Sequence, residues 1–410
     1  MKKTVLLIIG MLVCLISQAQ EIGITNSDGV TIYFRYTNEG RDFEVSSFDR
    51  NYQGSLRIPQ AVTYRDRTRN VTRIGKEAFE RCHGLTSVII PNTVTSIGEY
   101  AFANCTALSS VTLSNSLTTI EQYAFGNTKS LTSIILPSSL TYLGKGVFSH
   151  SGLKSISIPG SMASVGEDLF EYCGNLSSVT IPNSVRTIES CAFYACGNLR
   201  SIEIPNSVTT IKNGAFSGCP ITRVTLPNNL KSFGNAFADC PLTAISIPTS
   251  VTSLEMYAFR RCPLTTITIP GSVTTIGDGA FWGCSQLKTV IISNSVTKID
   301  RQAFAHCTNL SSISIPNSVK TIGYSAFEDC SSLTPITIPN SVTEIGVYAF
   351  LNCKKLTTVI SKMENPCSIP RDCFDKDLVY NGTLYVPNGT LGKYKSIEHW
   401  NEFLFIEESK

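Results

Sequence analysis

The sequence predicts a solenoid: a β-rich α/β array of short parallel strands with one short helical or 3-10 turn per coil. Three observations carry that reading. Phenylalanine recurs as Phe79, Phe102, Phe125, Phe148, Phe170, Phe193, Phe216, Phe237, Phe259, Phe281, Phe304, Phe327 and Phe350, at steps of only 21 to 23 residues. Within each step the same apolar pattern returns, as in Leu310–Cys330, LSSISIPNSVKTIGYSAFEDC. Insertions are almost excluded, so each unit stacks directly on its neighbours and shares one continuous core with them.

The coil itself follows from residue chemistry. Leu310, Ile313 and Ile315 alternate with Ser311, Ser312 and Ser314, a half-buried strand with hydroxyls outward. Pro316 and Asn317 stop that strand and turn the chain. Val319 and Ile322 point inward from a second extended piece, and Gly323 permits a bend. Tyr324–Phe327 is expected to make the helical or 3-10 turn, with Ala326 allowing close approach, Phe327 filling the core and Cys330 closing the unit.

Taken in order, the chain begins with Lys2 and Lys3, an apolar run from Val5 to Ile16, and Ser17-Gln18-Ala19. This is the pattern of a secretory signal over 1–19, cleaved after Ala19. The run is short for a membrane span, and Cys14 lacks the flanks of a lipidated cysteine. Residues 20–70 lack the repeat but alternate well, as in Val30–Tyr36, with Asp28-Gly29 and Asn38-Glu39-Gly40 as turns; they are expected to form an N-terminal β cap. Thirteen repeats fill 71–353. A degenerate repeat and C-terminal cap follow over 354–410, where Leu384–Pro387 is a last strand and Tyr394, Trp400, Phe403 and Phe405 are expected to cover the final coil. With 34 basic against 31 acidic side chains, or 32 against 31 without Lys2 and Lys3, charge argues for neither nucleic acid nor anionic lipid.

The units, with their IPxxVTxIGxxAFxxC core, and the closing stretch TLYVPNGTLGKYKSIEHWNEF resemble BspA-type leucine-rich repeat proteins of Bacteroidetes surfaces. The resemblance covers nearly all of the chain after Ala19. It implies a right-handed leucine-rich repeat array and an exported, often surface-exposed protein associated with adhesion to host or bacterial partners. Fold transfers further than partner in such a comparison. The asparagine ladder of leucine-rich repeats is matched in part, by Asn92, Asn115, Asn183, Asn206, Asn228, Asn294, Asn317 and Asn340, and is interrupted at Ser138, Gly160, Thr249 and Gly271.

Eleven of the 15 cysteines share one column: Cys82, Cys105, Cys173, Cys196, Cys219, Cys240, Cys262, Cys284, Cys307, Cys330 and Cys353. Export suggests disulfides, but coils repeating at about 4.8 Å hold in-register Cβ atoms wider than the disulfide value of about 3.8 Å. Thr128 and Ser151 also occupy the column, so small buried residues are expected there. Cys367 and Cys373 lie off it and leave a local bridge open. No cysteine–histidine grouping has zinc-ligand spacing, so neither metal nor cofactor is expected. His83, His150 and His306 fall at variable loop positions, and Ser295-Val296-Thr297-Lys298 has SVKT, SVTE and SVRT equivalents, so its lysine is a chance occupant. No catalytic residue is assigned, and the expectation is a non-enzyme.

Binding is what a solenoid offers. On the strand side the outward row is mostly Thr and Ser, with Lys154, Arg200, Glu203, Arg223 and Lys288 as charged candidates. Thr and Ser also simply suit exposed strands. Beside the phenylalanines stand Tyr100, Tyr123, Tyr194, Tyr257, Trp282 and Tyr348, with Arg260 and Arg261, the residue types that anchor protein interfaces; packing of rings between coils is the plainer reading. Arg57, Arg65, Arg67, Arg69 and Arg73 form a basic cluster open to a polyanion such as a sulfated glycan, or to water alone. The expected function is an exported, monomeric adhesin-like protein binding an extracellular protein or glycan; the alternative is a spacer or scaffold of the cell envelope without strong ligand affinity.

Overall fold

The computed structural model describes residues 21–37 and 40–409. The expected signal at 1–19 and the Asn38–Glu39 part of the first expected turn lie outside the described residues. The described residues form two compact units that divide between Met162 and Ala163.

In the first unit β1 (Ile22–Thr25), β2 (Thr31–Thr37) and β3 (Asp42–Val45) form an antiparallel meander. Alternation places Ile32 and Phe34 in the core. After β4 (Gln53–Arg57), strands β5 (Ala61–Tyr64) and β6 (Arg67–Ile74) make an antiparallel hairpin. Its two turn residues, Arg65 and Asp66, have φ of 51° and 60°, the positive values that a two-residue hairpin turn with the right twist demands. Two parallel ladders then begin. β4 pairs with β7 (Gly84–Ile89) and β6 with β8 (Ser96–Ile97); β7 continues to β9 (Ser110–Thr112), and β8 to β10 (Thr119–Ile120) and β11 (Tyr142–Leu143).

The second unit is built the same way. Ser253–Leu254, Thr275–Ile276, Lys298–Ile299, Thr321–Ile322 and Glu344–Ile345 form one parallel ladder with partners a full repeat apart. The first strand of the coil pairs likewise, Thr266–Ile269 with Thr289–Ile292. Both units are therefore parallel β-solenoids, as the periodicity predicts.

The third side of the coil departs from expectation. Tyr324–Phe327 is neither helical nor 3-10, and among the described residues α-helix occurs only at α1 (Lys376–Asn381) and α2 (Leu391–Ser396). Alternate N–H groups part ways instead. Those of Ala326, Glu328 and Cys330 bond back to Gly323, Ser325 and Phe327 at 3.2 Å, whereas those of Ser325, Phe327 and Asp329 donate to Val347, Ala349 and Leu351 of the next coil at 2.8–2.9 Å. A helix would spend every N–H inside its own segment, leaving this side of the stack without a ladder. The alternation needs left-handed residues two before and two after the core phenylalanine, and Ser325 and Asp329 have φ of 52° and 58°; in the short coil of Phe237 the forward position shifts to Gly234, at φ 45°. Both sit third in their turns, where a type II turn requires positive φ. The cost of about 1–2 kcal/mol per non-glycine residue is offset by the coil-to-coil bonds it permits.

At two coils a glycine holds the forward left-handed position because an aromatic ring lies on it. A Cβ on Gly146 (φ +60°) or Gly279 (φ +58°) would come within 2.2 Å of the Tyr123 or Tyr257 ring.

The phenylalanines stack as expected. In the first unit Phe79, Phe102 and Phe125 follow at 5.1 Å between centroids; in the second, Phe281, Phe304, Phe327 and Phe350 follow at 5.2–5.4 Å with planes within 7°. These are offset-stack distances. The stack continues one rung past the thirteen, to Phe374 at 5.3 Å from Phe350. Beyond it Trp400, Tyr394 and Phe403 are buried, and the Trp400 indole N–H donates to the Cys367 carbonyl at 2.8 Å. Phe405, expected in the same layer, is instead 53% exposed on the last strand, Phe405–Glu408.

No disulfide joins any of the fourteen described cysteines, Cys367 and Cys373 included. Column thiols donate across coils to the carbonyl of the preceding phenylalanine: Cys105 to Phe79, Cys219 to Phe193, Cys284 to Phe259, Cys330 to Phe304, at 3.0–3.2 Å. Burial pushes the Cys82 thiol from its ordinary 9.0 up to about 11 and Cys105 to about 12. A raised folded-state value stabilises the fold fully below pH 9 and loses that contribution as pH rises through 11–12, because the unfolded chain sheds its thiol protons first. Native protein at pH 8 should therefore resist a thiol-reactive disulfide, react fully once denatured, and lose stability in melting experiments above pH 9. Rapid titration of the native column, or oxidised thiols after denaturation, would contradict this.

Candidate binding surfaces

The strand side carries its outward row on the first extended segment of each coil. This segment is a paired strand in some coils, such as Thr266–Ile269 and Thr289–Ile292, and extended chain outside any strand in others, such as residues 131–137 and 311–316. Isoleucines interrupt the hydroxyls: Ile135 in the first unit is 88% exposed and Ile291 in the second is 59% exposed. A groove of about 380 Å³ runs past Ser110, Thr112 and Ile135. In the second unit, adjoining grooves of about 600 and 450 Å³ share Glu203, Ile204 and Asn206, and the latter reaches Arg223. The structure thus brings Glu203 and Arg223 together. Lys154, Arg200 and Lys288 are exposed on the same row pattern but line none of these grooves. A further groove of about 590 Å³ lies among Asn352, Lys354, Asp375, Asp377 and Asn381, in the degenerate repeat where no periodic signal marks it; burial lifts the Asp375 carboxyl above its ordinary range.

On the turn side the aromatic candidates separate into columns. Tyr100 and Tyr123 belong to the first unit and stack on each other at 5.4 Å and 7°. Tyr194 and Trp282 directly follow core phenylalanines, while Tyr257 and Tyr348 precede them by two and are left-handed, with φ of 57° and 61°. Tyr194 meets Tyr172, and Tyr348 meets Tyr324, both edge-on at 5.4–5.5 Å. Tyr172 also raises the Tyr194 phenol above its ordinary value.

Tyr257 and Trp282 are joined by cations. The Arg260 guanidinium lies 5.7 Å from the Tyr257 centroid and 5.4 Å from that of Trp282, and Arg261 lies 5.0 Å from Trp282. His306 meets the indole edge-on at 5.1 Å and its Nδ1 is 3.1 Å from Asp329. Asp239 faces both arginines at 3.6–3.7 Å. Asp239 and Asp329 are not marked by the sequence pattern and His306 reads there as a variable loop position, although each sits two residues after a core phenylalanine and the period could have placed them beside Arg261.

The basic cluster does not stay together. Arg57 lies on β4, in a different ladder from the β5–β6 hairpin that carries Arg65, Arg67 and Arg69. Arg65 lies over Tyr64 and Arg69 over Tyr36, each at 5.2 Å, and Arg69 also donates to the Gly40 carbonyl at 2.6 Å. Arg73 is spent on Glu121 at 2.6 Å and faces Glu44 at 3.7 Å. Only Arg57, Arg65 and Arg67 remain well exposed.

Among the described residues no group of three or more His, Cys, Asp or Glu side chains is placed to hold a metal ion, and no helix is long and apolar enough to cross a membrane.

Stacked parallel coils presenting variable side chains on an invariant backbone define a repeat scaffold of the leucine-rich kind. Residues 62–177, 163–237 and 234–357 match the family model described as BspA type leucine rich repeat region (6 copies), and the chain belongs to that family. A leucine-rich repeat protein of Bacteroides ovatus is similar at 29% identity over 92% of this chain and 98% of its own, with a TM-score of 0.74. A leucine rich cell surface protein of Faecalibacterium prausnitzii is similar at 31% identity over 84% and 96%, with a TM-score of 0.59. The pneumococcal vaccine antigen PcpA shares the fold at 18% identity over 95% and 99%, with a TM-score of 0.50. The search of curated proteins returned no match.

Proposed function

We propose that this chain is an exported, surface-associated binding protein that recognises an extracellular protein or glycan of a host or of other bacteria. The observation that carries the reading is the division of labour within the coil. Phenylalanine, alanine and cysteine columns repeat almost unchanged inside, while columns that reach the surface change from coil to coil, as in the exposed Asp239 and Arg261 and the half-buried Gly283, His306 and Asp329. Varied side chains on a regular backbone are how repeat proteins build extended recognition surfaces. Export rests on the Lys2–Ala19 pattern, and a surface location agrees with the printed description of the Faecalibacterium relative. Residues 20–70 and 354–410 close the two ends of the array as caps.

The test is direct. In the native host the chain should begin at Gln20 by mass spectrometry and be cleaved by protease added to intact cells. Purified protein should show saturable retention of at least one component of a panel of matrix proteins, bacterial surface proteins and glycans. A cytoplasmic chain that still begins at Met1 would defeat the export reading, and clean failure across the panel would leave a spacer role as the better account.

A further inference from the structure

We propose that Tyr257, Arg260, Arg261, Trp282 and His306 form a docking panel for an acidic segment of a partner protein, whose carboxylates the two guanidiniums accept. The inference rests on the binding reading above and specifies the surface and the chemistry. The panel is rigid. Tyr257, Arg261 and His306 are held left-handed at φ of 56–61°, and the N–H groups of Tyr257, Arg261 and His306 each donate to the next coil at 2.7–2.9 Å. Tyr257 is seated on Gly279, where any Cβ would collide with its ring. The side chains therefore stand at coil spacing with little freedom left to lose on binding, which lowers the entropic cost of association.

The donors are unspent. Arg260 and Arg261 share the single carboxylate of Asp239 at 3.6–3.7 Å, beyond hydrogen-bond reach, and neither guanidinium donates a hydrogen bond within the described residues. Their side chains are 35% and 54% exposed. Both lie over aromatic rings, which limits their movement, and a partner carboxylate can take the hydrogen bonds that Asp239 is too distant to accept. The same contacts occupy the indole face, which disfavours stacking of a sugar ring there.

Charge favours a peptide over an anionic polysaccharide. Asp239 precedes the arginines along the column and Asp329 follows His306. A polymer charged on every residue and running along the coils would meet these carboxylates on both sides. A peptide can place one or two acidic residues on the arginines and neutral ones over Asp239 and Asp329.

A random dodecapeptide display library panned on the purified full chain tests this, with a set of uronate- and sulfate-bearing oligosaccharides in parallel. Trp282 reports binding by fluorescence, because the only other tryptophan, Trp400, is fully buried. Selected peptides should be enriched in Asp and Glu. Their affinity should fall about tenfold or more in the Arg260→Gln/Arg261→Gln double variant and rise several-fold in Asp239→Asn, with unchanged melting. The inference is overturned by selection without acidic enrichment, by no enrichment at all, by acidic peptides that ignore both sets of variants, or by capture of the oligosaccharides alone. Peptides whose binding is lost only in Glu203→Gln or Arg223→Gln would move recognition to the strand-side grooves, ending this inference while the binding reading stands. Failure with peptides and oligosaccharides together with clean failure of the panel of matrix proteins, bacterial surface proteins and glycans would end both.

Discussion

Phe304→Ala will lower the unfolding free energy by about 3–5 kcal/mol, the range for removing a buried aromatic from a packed core. Phe304 is fully buried and stacked on Phe281 at 5.2 Å and Phe327 at 5.4 Å. Its two neighbours cannot close the gap, because two ladders fix the distance between them: on the turn side Phe281 donates to Ala303 and Phe304 to Ala326, each at 2.8 Å, and Lys298–Ile299 pairs with Thr275–Ile276 and Thr321–Ile322. The cavity term therefore adds almost in full to the lost transfer energy. In a quasi-one-dimensional array the damage is local, so hydrogen exchange should accelerate first in the coils around residue 304. Urea unfolding followed by circular dichroism measures the total; a loss below about 1 kcal/mol would mean that the stack tolerates a missing ring, against expectation for cavity formation.

Trp400→Ala will be almost as costly, again about 3–5 kcal/mol, but with a different signature. The indole is fully buried against Phe374 at 5.9 Å, Tyr394 at 5.5 Å and Phe403 at 6.2 Å. Its removal also strips the Cys367 carbonyl of a hydrogen bond. Phe374 is the last rung of the ring stack, so the variant should fray from the C-terminal end. Limited proteolysis should cut within 363–403 while the coils before Cys353 stay protected. Uniform loss of protection along the chain would instead make Trp400 a global determinant.

How far the coil was legible depends on the side. Strand alternation and the phenylalanine comb are short-range regularities, and Leu310–Val319 displays them openly. Its burial alternates as expected, with Ile313 and Ile315 inside and Ser312 and Ser314 outside, but residues 311–316 form no strand, because alternation sets which side chains are buried and not whether the neighbouring coil completes a ladder. The turn at Tyr324–Phe327 was misread because two polar residues before Ala-Phe look helical when their neighbours are ignored. A signal was present in the columns: glycine at Gly146, Gly214 and Gly279 two before the phenylalanine, and glycine or asparagine at Asn104, Asn127, Gly218, Gly283 and Asn352 two after it, all at positive φ. Glycine and asparagine tolerate that conformation best, so their recurrence marks a left-handed slot that Tyr, Arg, His and Ser fill elsewhere.

The surfaces were legible only as lists of residues. Five arginines close in sequence looked like one cluster, yet strand direction sends Arg57 and Arg65 to different sheets, and Arg73 is met by Glu121, 48 residues away. The six aromatic candidates likewise fall into separate columns: Tyr100 stacks on Tyr123, Tyr257 and Trp282 are linked through Arg260, and Tyr194 and Tyr348 meet other tyrosines.

Repetition along the chain sufficed to establish the parallel solenoid, its ring stack and its column of thiols, since a coil with one apolar side can bury it only against a copy of itself. The tertiary structure alone decided how the third side closes and which charges and rings meet across coils. Those outcomes depend on competition between a segment's own hydrogen bonds and those offered by the next coil, and on the reach of each side chain over a gap that exists only once the coils stand side by side.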